Sequence, residues 1–135
     1  MSSLRKPGGG GGGLPPGLID FPSISTTSNV QTVLGSYVPN FESVVQGNWR
    51  VTAKRDNDDF ASFQWLGHVV VLDVGSIIVG GANNTAAAAP DFFGGSGSSL
   101  RIALDNTSGL RLLVTGNNLE NWTWQAQLNY IEVLP

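Results

Sequence analysis

Three stretches near the C-terminus decide the fold: residues 100–104 (LRIAL), 110–114 (LRLLV) and 122–130 (WTWQAQLNY). In each of them an apolar side chain returns at every second position, as in Trp122, Trp124, Ala126 and Leu128. Successive side chains of a strand point to opposite faces of a sheet, so this alternation predicts half-buried antiparallel strands. The turn residues 106–109 (NTSG) separate the first two stretches.

The rest of the chain from residue 29 onward continues the same pattern with seven or eight short strands. Residues 29–37, 47–55 and 76–79 each predict one strand, and residues 60–74 predict either one long strand bent near Gly67 or two strands. Residues 83–97 predict a long surface loop, and helical periodicity never exceeds one turn. We therefore predict an all-β, two-sheet antiparallel β-sandwich of jelly-roll-like form. Its predicted core consists of Trp49, Val51, Leu100, Ile102, Leu104, Leu112, Val114, Trp124 and Leu128.

Residues 1–28 differ in composition from the body at 29–135 and predict an extended N-terminal arm. Gly8–Gly13 is an unbroken glycine run, which alone indicates a flexible tether, and a disordered tail is the alternative. The next residues combine apolar side chains with prolines, and such a strip fits an extended segment that lies along a neighbouring chain. We expect its removal, residues 1–24, to leave the body folded. The predicted partner-binding residues are Leu14, Leu18, Ile19, Phe21 and Ile24.

Composition excludes several classes of protein. Charged residues make up 13% of the chain and the formal net charge is −3, which argues against nucleic-acid binding because that normally needs a basic patch. The absence of cysteine excludes disulfides and thiolate metal sites. No apolar stretch approaches the roughly 20 residues of a membrane-spanning helix. The first residues also lack the apolar stretch of a secretory leader, so we expect synthesis in a cytosol.

The candidate sites are few, and none predicts a cofactor or a catalytic centre. His68 is the only histidine and has neither a second ligand nor a nucleophile motif nearby, so we interpret it as a strand residue. Residues 56–59 (DNDD) predict a hairpin turn, with a calcium site as the alternative. Residues 94–97 (GGSG) lack the lysine and helix of a phosphate loop. A sugar-binding platform could be formed by Trp49, Trp65, Trp122 and Trp124, but Trp122 and Trp124 share a face with Leu128, which favours the core.

Two segments carry a resemblance to a known group of proteins. Residues 99–116 and 121–133, above all Val114-Thr-Gly116, Trp124-Gln-Ala126 and Ile131-Glu-Val133, resemble a small β-domain of tailed bacteriophage virion proteins. Upstream, residues 49–55 and 63–67 resemble the earlier strands of that group. The similarity covers about residues 45–133; the glycine-rich arm and the short chain depart from it.

The resemblance implies a non-enzymatic structural protein located in a virion and made in the host cytoplasm. Within that class it favours a capsid cement or decoration protein that bridges neighbouring capsid subunits, with a tail or fibre module as the alternative. It also implies a homo-oligomer, with a trimer favoured, and the major capsid protein or other virion proteins as partners. A carbohydrate- or receptor-binding β-module stays open as a second class, and exposed tryptophans would favour it.

Overall fold

The described residues of the chain form ten strands and one 3₁₀ turn. The computed structural model describes residues 17–40, 42–73, 76–80, 87–105 and 110–135, and for 65–73 and 76–80 it describes the backbone alone. Within these ranges no helix is long and apolar enough to cross a membrane. The strands are β1 (Gly17–Asp20), β2 (Ile24–Thr26), β3 (Thr32–Tyr37), β4 (Val44–Arg55), β5 (Phe60–Asp73), β6 (Ser76–Gly80), β7 (Phe92–Gly94), β8 (Arg101–Asp105), β9 (Leu110–Thr115) and β10 (Trp122–Val133), and the 3₁₀ turn is Gly95–Ser99.

The strands form two antiparallel sheets, so the predicted β-sandwich is confirmed. The large sheet has the order β1-β10-β4-β5-β6, with β2 also beside β10 and β7 also beside β5. The small sheet has the order β3-β9-β8. At the centre of the large sheet, β10 pairs with β4 over its whole length, from Trp122 opposite Arg55 to Val133 opposite Val44.

The core lies between the two sheets and is built from the alternating residues that the sequence identified. Every predicted core side chain is buried, because the inward positions of β4, β8, β9 and β10 face one another across the sandwich. Phe63 of β5 stacks on Trp124 with ring centroids 6.2 Å apart. Trp122 and Trp124 are fully buried, and the indole N–H of Trp124 donates a hydrogen bond of 2.9 Å to Thr26 Oγ1.

Residues 17–26 form an edge strand of the large sheet, although the sequence predicted them within an arm separate from the body. Ile19 lies opposite Leu128 and Ile24 opposite Trp124, and the register shifts by one residue between β1 and β2. This shift is a β-bulge at residues 21–23, where Pro22 cannot donate a backbone hydrogen bond. The segment pairs here because its apolar residues complete the core of its own chain.

Two further segments refine the predicted secondary structure. Residues 60–73 are one strand: Gly47 pairs with His68 and Trp49 with Trp65, so a bulge at residues 66–67 bends β5 near the predicted glycine. The predicted surface loop contains β7 and the 3₁₀ turn, while its residues 83–86 lie outside the described residues. Short elements of this kind have too few residues to show a period.

Candidate functional site

The outward face of β4 and β10 is a broad exposed surface that regular alternation creates. Both strands are 12 residues long, and their burial alternates strictly from Val44 to Lys54 and from Trp122 to Gln127. Because the inward residues fill the core, every outward residue is left to solvent. We call this surface the amide face. Its polar members are Gln46, Asn48, Arg50, Thr52 and Lys54 on β4 and Thr123, Gln125, Gln127 and Asn129 on β10.

The amide face offers many hydrogen-bond donors and acceptors but little charge. Gln127 Nε2 donates a hydrogen bond of 2.6 Å to Asp20 Oδ1 of β1, which fixes the orientation of that amide. Shallow depressions lie along the two strands, one of them of about 400 Å³ between Thr52, Lys54, Thr123 and Gln125. A flat surface of this chemistry can hydrogen-bond to a partner over a large area, whereas small-molecule sites are deeper and mostly apolar.

One end of the amide face is apolar. Val44, Ile131 and Val133 are 41%, 51% and 46% exposed, and Leu18 of the neighbouring β1 is 57% exposed. Val133 lies opposite Val44, and Leu18 lies opposite Asn129, so these side chains occupy adjacent rows of one face. Contiguous exposed apolar side chains next to polar ones are typical of protein-binding surfaces.

The structure separates the predicted partner-binding residues into two groups. Ile19, Phe21 and Ile24 are partly buried and pack against the core of their own chain. Leu18 points outward and borders the apolar end of the amide face. Leu14 lies outside the described residues. Contact of the arm with another chain stays a prediction. Among the predicted partner-binding residues that the structure describes, Leu18 has the most exposed side chain.

A buried carboxylate that the sequence analysis missed lies below the apolar end. Glu132 is fully buried, and its oxygens accept hydrogen bonds from the Tyr37 hydroxyl, from Asn40 N at 2.7 Å and from Asn40 Nδ2 at 2.9 Å. The Ser43 hydroxyl lies 2.7 Å from the same carboxylate. The network ties the β3–β4 connection to β10, and its signal in the sequence was an acidic residue at an inward position of the alternation.

These hydrogen bonds set the ionisation of the buried groups. Burial by itself raises the pKa of Glu132, but the hydrogen bonds from Ser43, Tyr37 and Asn40 outweigh it and hold that pKa below its ordinary value. The pKa of Tyr37 is raised, first by burial and then by its hydrogen bond to the carboxylate. Glu132 is therefore a satisfied structural anion, and its lone pairs are committed to positioning the loop.

The acidic turn at residues 56–59 is the predicted hairpin turn between β4 and β5. Asp59 Oδ2 accepts hydrogen bonds from Ser96 N at 3.2 Å and Ser96 Oγ at 2.9 Å, and these bonds lower its pKa. Arg55 Nη1 lies 3.6 Å from Asp59 Oδ2 and 3.7 Å from Glu120 Oε2. The Asp59 side chain therefore connects this turn to the 3₁₀ turn that contains Ser96. No group of three or more His, Asp or Glu side chains that could hold a metal ion occurs in the described part of the chain.

The remaining candidates carry no site in the described structure. His68 lies within β5, and its side chain is outside the described residues. Trp49, Trp122 and Trp124 are fully buried, which excludes a sugar-binding platform built from them. The glycine-rich residues 94–97 lead into the short 3₁₀ turn Gly95–Ser99.

Comparison of the chain with protein-family models, with curated proteins and with solved structures found no match.

Proposed function

We propose that this chain is a non-enzymatic structural protein that binds the surface of a larger protein assembly through its amide face. The virion resemblance points to a capsid cement or decoration protein of a tailed bacteriophage as the specific form of that role. The observation that carries the proposal is the chemistry of the face: mainly amides and hydroxyls along two long strands, with Arg50 and Lys54 as its charged members and exposed Leu18, Val44, Ile131 and Val133 at one end.

The dimensions of the amide face support a macromolecular partner. Strands of 12 residues rise about 3.3 Å per residue and therefore extend for about 40 Å. With neighbouring strands about 4.8 Å apart, the two strands of the amide face cover roughly 400 Å². A stable interface buries about 800 Å² on each partner, so the amide face would supply about half of such an interface and the neighbouring strands β1 and β5 would extend it.

The chemistry of the face fits repeated docking on identical subunits. Binding many copies to a particle adds a small stabilisation at each site, and interactions of modest strength suffice when they repeat. Hydrogen-bonding side chains with an apolar fringe give such contacts without the large desolvation cost of buried charges. The proposed partners are the major capsid protein or other virion proteins.

Lysine substitutions on the amide face test the proposal. Gln125→Lys combined with Asn129→Lys introduces two charges on exposed positions, so the fold should persist while binding weakens. The matched control is Ser36→Lys, which adds a charge at an exposed position of the small sheet. Co-sedimentation with purified heads that lack the protein measures binding.

We expect the double variant to lose head binding and the Ser36→Lys control to retain it. Loss of binding by the control alone would place the interface on the small sheet and contradict the use of the amide face. Binding of the unaltered protein to tails but not to heads would favour the alternative, a tail or fibre module. The carbohydrate-binding alternative has lost its main support, because Trp49, Trp122 and Trp124 are buried.

A further inference from the structure

The edges of the two sheets differ in how well they are protected against pairing with another chain. An open edge strand presents unpaired backbone groups, and proteins normally blunt it with charge, proline, a bulge, short length or a cover. The edge formed by β1 and β2 carries Asp20, Pro22 and a bulge. This edge is therefore a poor template for a further strand.

Three other edges are protected in comparable ways. The β3 edge is interrupted by an irregularity between Val33 and Gly35. Next to β8, Ala88 forms an isolated bridge with Ile102, with hydrogen bonds of 2.7 and 3.2 Å. Strand β7 has only three residues, and the carboxylate of the adjacent Asp91 accepts a hydrogen bond from Gln64 N.

Strand β6 carries neither a charge nor a proline nor a bulge. It is the last strand in the order of the large sheet, and no described strand pairs with its other side. Its sequence, SIIVG at residues 76–80, contains no charge and no proline, and its pairing with β5 is regular from Ser76 to Gly80. A regular, uncharged and apolar edge of this kind readily pairs with another strand.

The sheet next to this edge is apolar at matching positions. A single row of the register crosses four strands at positions 133, 44, 71 and 78, and each of these positions is valine or isoleucine. Val133 and Val44 show that this row belongs to the outward face, where they are 46% and 41% exposed. The row therefore leads from the apolar end of the amide face to the open edge at β6.

Backbone alternation determines how β6 can pair. Two residues separate Asp73 from Ser76, and in a two-residue hairpin the flanking residues form a hydrogen-bonded pair. The pattern then alternates along the strand, so the N–H and C=O groups of Ile77 and Val79 are directed to the open edge. An antiparallel strand added there would hydrogen-bond to these two residues.

We propose that β6 pairs with β6 of a second copy of this chain across a two-fold axis centred on Ile78. In that arrangement Ile77 hydrogen-bonds with the partner's Val79, and the symmetric pair repeats the same bonds. The large sheet becomes continuous through both copies. A second copy is the favoured occupant because the apolar row at positions 133, 44, 71 and 78 ends at this edge, and a second copy would continue it across the axis with the same apolar residues. The inference depends on the sheet edges alone and is independent of the proposed function.

Charge substitutions at the two-fold axis provide the test. The register places Ile78 opposite the partner's Ile78 in a non-hydrogen-bonded pair, where Cα atoms are about 4.5 Å apart. Ile78→Lys or Ile78→Glu in both copies therefore sets like charges against each other, and we expect dimer affinity to fall about tenfold or more. Mixing the two variants sets opposite charges against each other and should restore the dimer. Ser36→Lys is the control because it adds the same charge at an exposed position of the small sheet, away from β6.

Sedimentation equilibrium of the full chain measures the mass, and hydrogen exchange measures protection of the Ile77 and Val79 amides without any substitution. We expect a dimer, its loss in each single Ile78 variant, its return in the mixture, and protection of the two amides that falls on dilution. A monomer at high concentration with unprotected amides would overturn the proposal. So would a trimer, the state that the virion resemblance favours, or a dimer unaffected by the Ile78 variants.

Discussion

Phe21→Ala should destabilise the whole sandwich, because the segment before β2 closes one side of the core. The Phe21 ring stacks on Trp49 with centroids 5.3 Å apart and planes inclined by 27°. It also covers Gly35 of β3, where an added Cβ would lie 2.7 Å from the ring. One side chain therefore bridges β4 of the large sheet and β3 of the small sheet.

The magnitude follows from partial burial. Truncation of a fully buried phenylalanine costs about 3–5 kcal/mol, and Phe21 is only partly buried, so we expect a loss of about 2–3 kcal/mol in the free energy of unfolding. Gly35→Ala alone should also destabilise, because its new methyl group would meet the Phe21 ring. In the double variant the methyl group occupies part of the space vacated by the ring. The double variant should then be more stable than the sum of the two losses predicts.

Urea denaturation followed by tryptophan fluorescence measures all four proteins of this cycle, since Trp49 lies directly under the ring. The expected coupling between the two positions is about 1 kcal/mol or more. Additive losses would contradict the contact between Phe21 and Gly35. Unchanged unfolding of Phe21→Ala would contradict docking of residues 17–26 on their own body, and would favour the separate arm that the sequence suggested.

Three further outcomes are expected. Trp124→Ala removes a fully buried indole and should cost about 3–5 kcal/mol in chemical denaturation, and a loss below 1 kcal/mol would contradict its place in the core. Glu132→Ala leaves the Tyr37 and Asn40 donors without their acceptor and should cost about 2–3 kcal/mol, with faster hydrogen exchange at Asn40 as the local readout. Because the folded-state pKa of Glu132 is lowered, its contribution to stability is complete above the ordinary value of 4.5 and is lost as the pH falls through the folded-state pKa. Stability measured against pH in the acid range should therefore decline less in Glu132→Gln than in the unaltered protein.

The alternation of apolar residues was sufficient to predict the sandwich and its core. Trp49, Leu112 and Trp124 are buried. Successive residues of a strand point to opposite faces, so when the polar residues face solvent the apolar ones must face the core. The turn-forming residues Asp and Asn predicted the hairpin turn at residues 56–59. In both cases the information is local, carried by residues close together in the chain.

The docking of the N-terminal segment could not be predicted in this way. Glycine and proline around residues 8–22 indicate an extended chain, and an extended chain is equally suited to pairing with its own body or with a neighbour. The choice depends on Ile19 and Phe21 meeting core positions about a hundred residues later in the sequence, such as Leu128. Composition carries no information about such long-range register.

The amide face was visible in the sequence only as the polar half of each strand. In the sequence, Gln125 and Gln127 look like ordinary solvated residues. They belong to one surface only because β4 and β10 pair along 12 residues. The Glu132 network has the same origin, since Tyr37, Asn40 and Ser43 come together through the β3–β4 connection. Sites assembled from different strands appear only when the pairing is known.

The most direct measurement is electron cryo-microscopy of phage particles purified from cells in which the chain is expressed. The proposed function predicts density for the β-sandwich on the head, with the amide face of β4 and β10 toward the capsid subunits and Leu18 and Ile131 within the contact. Particles that lack the chain, or a sandwich that turns the amide face to solvent, would contradict it.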